Sequence, residues 1–207
     1  EKPVTGEYFF HDTFENGASD WTGRGSASVT ASSDASYAGD ASLYVTNRTS
    51  CWNGATKKLN TSTFVPGTAY SFNVMVMQDV IESEDFKLTL QYNLNNETHY
   101  ASIAQVSAPK GKWTKLANTS FMIPAGATDL YFYVETIENL TDFYIDDAVG
   151  AENNKKIEIT SKPENNYYFY SKFESGTDGW VSRGGTKLTV DSNNSYAGSK
   201  ALLITER

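Results

Sequence analysis

Residues 8–48 of this 207-residue chain align without a gap on residues 167–207, 159 positions later, with 17 identities in 41 positions. The shared skeleton is Phe14-Glu15, Trp21, Arg24-Gly25, Ser36-Tyr37-Ala38-Gly39, Leu43 and Arg48, answered by Phe173-Glu174, Trp180, Arg183-Gly184, Ser195-Tyr196-Ala197-Gly198, Leu202 and Arg207. A period of this length is too long for a solenoid and matches a domain plus a connection. The expected organisation is one complete module over 1–152, a linker over 153–166, and the N-terminal fragment of a second module over 167–207. The linker, from Glu152-Asn153-Asn154-Lys155-Lys156 to Lys162-Pro163-Glu164-Asn165-Asn166, is polar and charged around Ile157 and Ile159. It reads as a short, semi-extended tether.

Within the first module the apolar period is two. Tyr70, Phe72, Val74 and Val76 alternate with Ser71, Asn73, Met75 and Met77; Phe86, Leu88, Leu90 and Tyr92 alternate with Lys87, Thr89 and Gln91. Turn signals at Pro66-Gly67, Lys110-Gly111 and Pro124-Ala125-Gly126 cut the chain into eight to eleven short strands, and no stretch has a helical apolar face. Aromatics reach 14% while charged residues are only 20%, a mixture suited to half-buried pleated surfaces. The expected fold is all-β: an antiparallel β-sandwich of the jelly-roll type. Forty-one residues hold about three strands and cannot close such a sandwich. The second copy therefore needs a companion fragment or strand exchange with a neighbouring molecule.

A net charge of -8 argues against a nucleic-acid partner. No apolar run is long enough for a membrane span, and no signal peptide is recognisable, so the sequence reads as a mature soluble segment cut from a longer protein. The single cysteine, Cys51, cannot form an internal disulfide and reads as a small buried or half-buried side chain.

The segment Asp129–Glu138 carries the functional signal. With Leu130, Phe132 and Val134 in the core, the opposite face presents Tyr131, Tyr133 and Glu135, two phenols and a carboxylate in a row. One reading is a sheet face covered by a loop. The other is a sugar platform: the apolar C–H face of a pyranose lies on an aromatic ring while its hydroxyls pair with carboxylates and amides. Trp52-Asn53 at the start of a strand, Tyr100, Gln91 and Arg24 fit that platform, the last able to make a forked contact with hydroxyls or with Glu135.

Several motifs in fixed order resemble family 22 carbohydrate-binding modules: Trp21-Thr22-Gly23-Arg24-Gly25, Ser36-Tyr37-Ala38-Gly39, Asn47-Arg48-Thr49 with Trp52-Asn53-Gly54-Ala55, Thr63-Phe64-Val65-Pro66-Gly67, Leu90-Gln91-Tyr92, Tyr133-Val134-Glu135-Thr136 and Phe143-Tyr144-Ile145-Asp146-Asp147. The resemblance runs through residues 7–151 and resumes at 167–207. It implies a jelly roll that binds xylan and xylo-oligosaccharides, and sometimes mixed-linkage β-glucan, often in tandem beside the catalytic domain of a secreted family 10 xylanase. It maps the cleft onto Arg24, Trp52, Tyr100, Tyr133 and Glu135, with Asn53, Gln91 and Tyr131 as neighbours; in the second copy only the Arg24 position is present, as Arg183. It also implies a structural calcium ion away from the cleft, held by Glu15 and Asp146 with backbone from Thr13 and Asp40, oxygen ligands of the kind calcium takes.

Two other function classes are weighed. A small glycoside hydrolase needs two carboxylates flanking the scissile bond; Glu135 has no carboxylate partner on its face, and Glu82, Glu84 and Asp85 read as a solvated loop cluster. His11 and His99 fit neither metal nor triad spacing. A structural or adhesion sandwich would bind a protein and ignore polysaccharide. The sequons at Asn47, Asn60, Asn96, Asn118 and Asn139 are what an Asn-, Ser- and Thr-rich composition yields.

Overall fold

The computed structural model describes residues 8–162, 171–195 and 199–206. The chain divides between Lys162 and Pro163 into two units, and the described residues contain no helix. The first unit holds eleven strands: β1 (Tyr8–Asp12), β2 (Trp21–Arg24), β3 (Ser28–Ser32), β4 (Ser42–Thr46), β5 (Gly54–Lys58), β6 (Ala69–Met77), β7 (Ser83–Leu94), β8 (Glu97–Pro109), β9 (Thr114–Met122), β10 (Thr128–Thr136) and β11 (Phe143–Glu152). One sheet has the order β3-β4-β11-β6-β9 with β1 also paired to β11; the other has the order β2-β5-β10-β7-β8. Every pairing between them is antiparallel. From β4 onward the chain crosses between sheets at nearly every connection, which is the jelly-roll habit.

The alternation read from the sequence decides which side chains meet between the sheets. Leu43, Val45, Phe72, Val74, Val76, Leu116, Phe143 and Ile145 from one sheet pack against Ala55, Phe86, Leu88, Leu90, Phe132 and Val134 from the other, all fully or almost fully buried. The ring centroids of Phe72 and Phe132, and of Phe86 and Phe143, each lie 5.2 Å apart across the layer. Burying one such side chain is worth about 1.5–3 kcal/mol. Leu130, Phe132 and Val134 do face the core, so Tyr131, Tyr133 and Glu135 belong to the outer face of the second sheet.

Two expectations are corrected. The stretch 153–162 is not a free tether: Ile157 is buried with Val149 and Ala151, and Ile159 packs beside them. Lys115 donates to the Ile157 carbonyl, the Tyr37 hydroxyl to the Ile159 carbonyl, and the Lys162 amide to the Tyr37 carbonyl. Two isoleucines spaced by two suffice to lay an otherwise polar segment onto the sheet. Glu84, read as part of a solvated loop, is buried on β7 and accepts from the Thr141 hydroxyl and the Asn139 amide. Those bonds satisfy its charge away from water.

The second unit is described in part. β12 (Lys187–Asp191) and β13 (Ala201–Thr205) form an antiparallel pair with Lys187 opposite Thr205. Tyr196, Ala197 and Gly198 of the repeated tetrapeptide, and residues 163–166 at the end of the expected linker, lie outside the described residues.

Candidate functional site

Strand register sets the floor of a groove on the outer face of the second sheet. Across β2, β5, β10, β7 and β8, Thr22, Thr56, Tyr133, Thr89 and Ser102 stand in one row. In the next row Tyr131 is opposite Gln91, and Gln91 opposite Tyr100. On the other side Glu135 is opposite Lys87, and Arg24 opposite Gly54. The strands thus bring Arg24, Gln91, Tyr100, Tyr131, Tyr133 and Glu135 to one surface. Trp52 is added by the turn before β5, not by the strand itself.

Arg24 is the centre of this arrangement. Its guanidinium carbon lies 4.1 Å from the Tyr133 ring centroid, 5.0 Å from Trp52 and 5.7 Å from Tyr100, so one cation is attracted by three ring faces. Nη1 donates to the Trp52 carbonyl at 2.8 Å and Nη2 to Gln91 Oε1 at 3.2 Å. The forked contact expected between Arg24 and Glu135 is not made. Glu135 is buried, accepts from the Thr89 hydroxyl at 2.8 Å, and pairs with Lys87 at 2.9 Å.

Exposure separates the aromatics. Trp52 and Tyr100 are 47% and 59% exposed, whereas Tyr133 is 2% exposed beneath Arg24. Burial, and next the Glu135 charge, push the Tyr133 phenol up to about 12. Tyr133 is thus a neutral floor under the guanidinium, and Trp52 and Tyr100 are the rings open to a ligand. A flat apolar ligand face can lie on these rings while its polar edge meets Arg24 and Gln91.

Asn53 does not present itself to a ligand as expected. It is buried, and its Oδ1 accepts from the Thr49 and Ser50 amides and the Ser26 hydroxyl. It folds the loop that carries Trp52. Gly25 permits this packing: at φ +67, a Cβ there would fall 2.1 Å from Asn53 Nδ2 and 2.7 Å from the Trp52 ring. The sequence reading passed over Arg48 as a site residue. Buried over the Phe143 ring, it donates to the carbonyls of Cys51, Asn53 and Thr141 and to the Thr136 hydroxyl. It thereby ties the Trp52 turn to the β10–β11 connection. Its presence in the repeat skeleton was the available signal. Lys87 and Thr89 were legible from the alternation that placed Gln91.

The residues expected to hold a cation lie on the opposite side of the sandwich, around the loop from Ser36 to Ala41. Glu15 accepts from the Asp40 and Ala41 amides, and Asp146 from the Tyr37, Ala38 and Asp147 amides. A Cβ on Gly39 would fall 2.3 Å from Glu15 Oε1. Thr13 precedes Phe14, whose φ of 59 turns the chain toward Glu15. No three His, Cys, Asp or Glu side chains cluster in metal-binding fashion among the described residues, so a cation here would draw on backbone carbonyls. The donor chemistry fits a hard cation: Asp146 and Asp147 are adjacent buried carboxylates, and Asp147 Oδ2 is buried without a hydrogen-bond partner. Burial, then the Asp147 charge, raise Asp146 to about 8. Asp147 Oδ1 lies 2.7 Å from His11 Nε2.

Comparison with known proteins places these features among relatives. Residues 6–141 match the model of a carbohydrate binding domain family. The chain is 43% identical over 164 residues to a xylanase/beta-glucanase of Ruminococcus flavefaciens, an alignment covering 78% of this chain but 20% of that protein. It is similar to a solved xylan-binding domain from family 22, at 41% identity and a TM-score of 0.72, covering 75% of this chain and all of the other. A tandem of two family 22 modules from Paenibacillus barcinonensis Xyn10C matches over 98% of this chain and 61% of that one, at 26% identity and a TM-score of 0.65.

Proposed function

The chain belongs to the carbohydrate binding domain family and, within it, to the family 22 modules, and on that premise we propose that its groove binds xylan and xylo-oligosaccharides without cleaving them. Its task is to hold an appended xylanase on plant cell wall outside the cell. The observation that carries this reading is the pair of open rings, Trp52 and Tyr100, that lie 5.0 Å and 5.7 Å from the Arg24 guanidinium. Xylose rings stack on these two aromatics, and their hydroxyls pair with Arg24, Gln91 and the edge of Glu135, with Tyr131 and Tyr133 as floor. Each net hydrogen bond is worth about 1 kcal/mol and each ring contact a similar amount. After the cost of association, a dissociation constant of roughly 10 μM to 1 mM remains. A tandem of modules multiplies such modest strength through local concentration. Mixed-linkage β-glucan, with the same equatorial backbone hydroxyls, is a second ligand of the same groove.

Affinity electrophoresis in soluble xylan tests the assignment. Trp52→Ala and Glu135→Gln each lose detectable retardation while remaining folded. Equal retardation of both variants and the parent would remove the groove from the account. Binding to a protein with indifference to polysaccharide would instead make the sandwich an adhesion module.

Calcium at Glu15 and Asp146, with carbonyls of Thr13 and Asp40, belongs to the same reading. It supplies positive charge beside the buried Asp146 and Asp147 carboxylates and braces the Ser36–Ala41 loop. The adjacent acids and the unpartnered Asp147 oxygen support it.

A further inference from the structure

At the end of the second sheet, where β5 stops and β2 and β10 begin, a cavity of about 490 Å³ is lined by Asp20, Lys58, Leu59, Asn60, Thr61 and Asp129, with Leu130 behind. Its size falls in the range of small-ligand sites, about 300–1,000 Å³. It adjoins the groove directly, because Lys58 is the register partner of Tyr131 and its ammonium lies 5.5 Å from that ring centroid. The wall is built on purpose-shaped backbone. β10 carries an irregularity between Thr128 and Tyr131, and Asp129 within it has a φ of 49. A bulge of this kind re-aims a side chain at the rim of a sheet; here Asp129 reaches Lys58 at 3.6 Å and accepts from Asn93 Nδ2 at 3.2 Å.

We propose that this cavity receives a neutral pentose branch carried by a xylan chain lying in the groove. This inference rests on the groove reading given above. The lining offers carboxylate acceptors, an ammonium donor, an amide and a hydroxyl around two buried leucines, the mixture that a short hydroxyl-rich ring requires. Among the described residues its lining includes no aromatic, so it suits a substituent better than a stacked backbone residue. Charge selects among substituents: Lys57 pairs with Asp12 and Asp20, and Lys58 with Asp129, so three carboxylates stand against two ammonium groups, in a chain of net charge -8. A uronic acid branch would add a carboxylate to a cluster that already holds one negative charge in excess, while a neutral pentosyl branch hydrogen-bonds to Asp20, Asp129 and Lys58.

Calorimetry on the whole chain with three oligosaccharides of equal backbone length decides the matter: linear, arabinosyl-branched and glucuronosyl-branched. The arabinosyl ligand binds tighter than the linear one by about five-fold or more, the worth of one net hydrogen bond, and the glucuronosyl ligand binds no tighter than the linear. In Lys58→Ala the arabinosyl-to-linear ratio falls to about one. In Asp129→Asn, which retains a residue tolerant of positive φ, the glucuronosyl ligand gains affinity relative to the linear one. Equal affinity for arabinosyl and linear ligands, or a ratio that survives Lys58→Ala, overturns the branch site. Preference for the uronic acid overturns its stated chemistry. Failure of the linear ligand to bind at all would instead sink the groove reading.

Discussion

Trp21 and Trp180 hold the same position in two copies of one sequence, yet Trp21 is 2% exposed and Trp180 47%. Around them the local structure repeats closely. Phe14 and Phe173 have φ of 59 and 60, Ser19 and Asp178 51 and 49, and Gly25 and Gly184 67 and 68. Trp21 Nε1 donates to Asp12 at 2.8 Å, and Trp180 Nε1 to Ser171 at 2.9 Å. Glu15 gathers the amides of Asp40 and Ala41, and Glu174 those of Ser199 and Lys200. The hairpin Ser28 to Thr46 has the register of the hairpin Lys187 to Thr205. Turns, caps and hairpin registers therefore form from 41 residues of sequence. Burial of the indole draws on Phe132 from β10, 5.7 Å away, a residue that lies outside the 41 repeated positions.

Unfolding measurements press hardest on this contrast. Trp21→Ala lowers the stability of the first unit by about 3–5 kcal/mol, the usual cost of removing a core aromatic. Trp180→Ala leaves that unfolding transition where it was. Urea titration followed by near-ultraviolet circular dichroism reads both, and similar losses would mean that the second copy has a core of its own.

The paired glutamates give a smaller effect. Calcium at about 100 times its dissociation constant adds about 2.7 kcal/mol to a fold that alone binds it. Calorimetric scans with calcium and with a chelator should show this gain in the parent and in Glu174→Gln, and a much reduced gain in Glu15→Gln, if the proposed site at Glu15 and Asp146 holds the ion. A gain untouched by Glu15→Gln would place the ion elsewhere.

The smallest effect concerns pH, and it belongs to β10, which lies outside the repeated segment. Tyr133 is raised to about 12, so the fold favours its neutral phenol. The stability this contributes is fully present below about pH 10, where the unfolded phenol is also neutral, and is lost as pH rises toward 12. Xylohexaose affinity is accordingly flat between about pH 7 and pH 10 with respect to this group. A midpoint near pH 10 that disappears in Tyr133→Phe would show the phenol to be solvated.

Much of the groove was legible in the sequence. Alternation along β10 and β7 places Tyr131, Tyr133, Glu135 and Gln91 on one face because successive side chains of a strand point to opposite sides. The loop positions were harder. Asn53 and Trp52 are neighbours in sequence, yet one is the bolt of the turn and the other its exposed blade, a division made by Ser26, Gly25 and Arg48 from elsewhere in the chain. Ile157 gave a weak signal for the docking of 153–162, since two apolar residues in a polar run match a tether as well as a strap.

By itself the amino-acid order determined what is local: strand alternation, left-handed turn residues, the hairpin register and the carboxylates that cap nearby amides. These recur in both copies because hydrogen bonds and sterics between near neighbours suffice for them. Only the tertiary structure decided that Arg24 lies over Tyr133, that Glu135 answers to Lys87, and that Trp21 is dry. Each depends on strands brought together from distant parts of the chain, and a side chain is removed from water only when enough of them close around it.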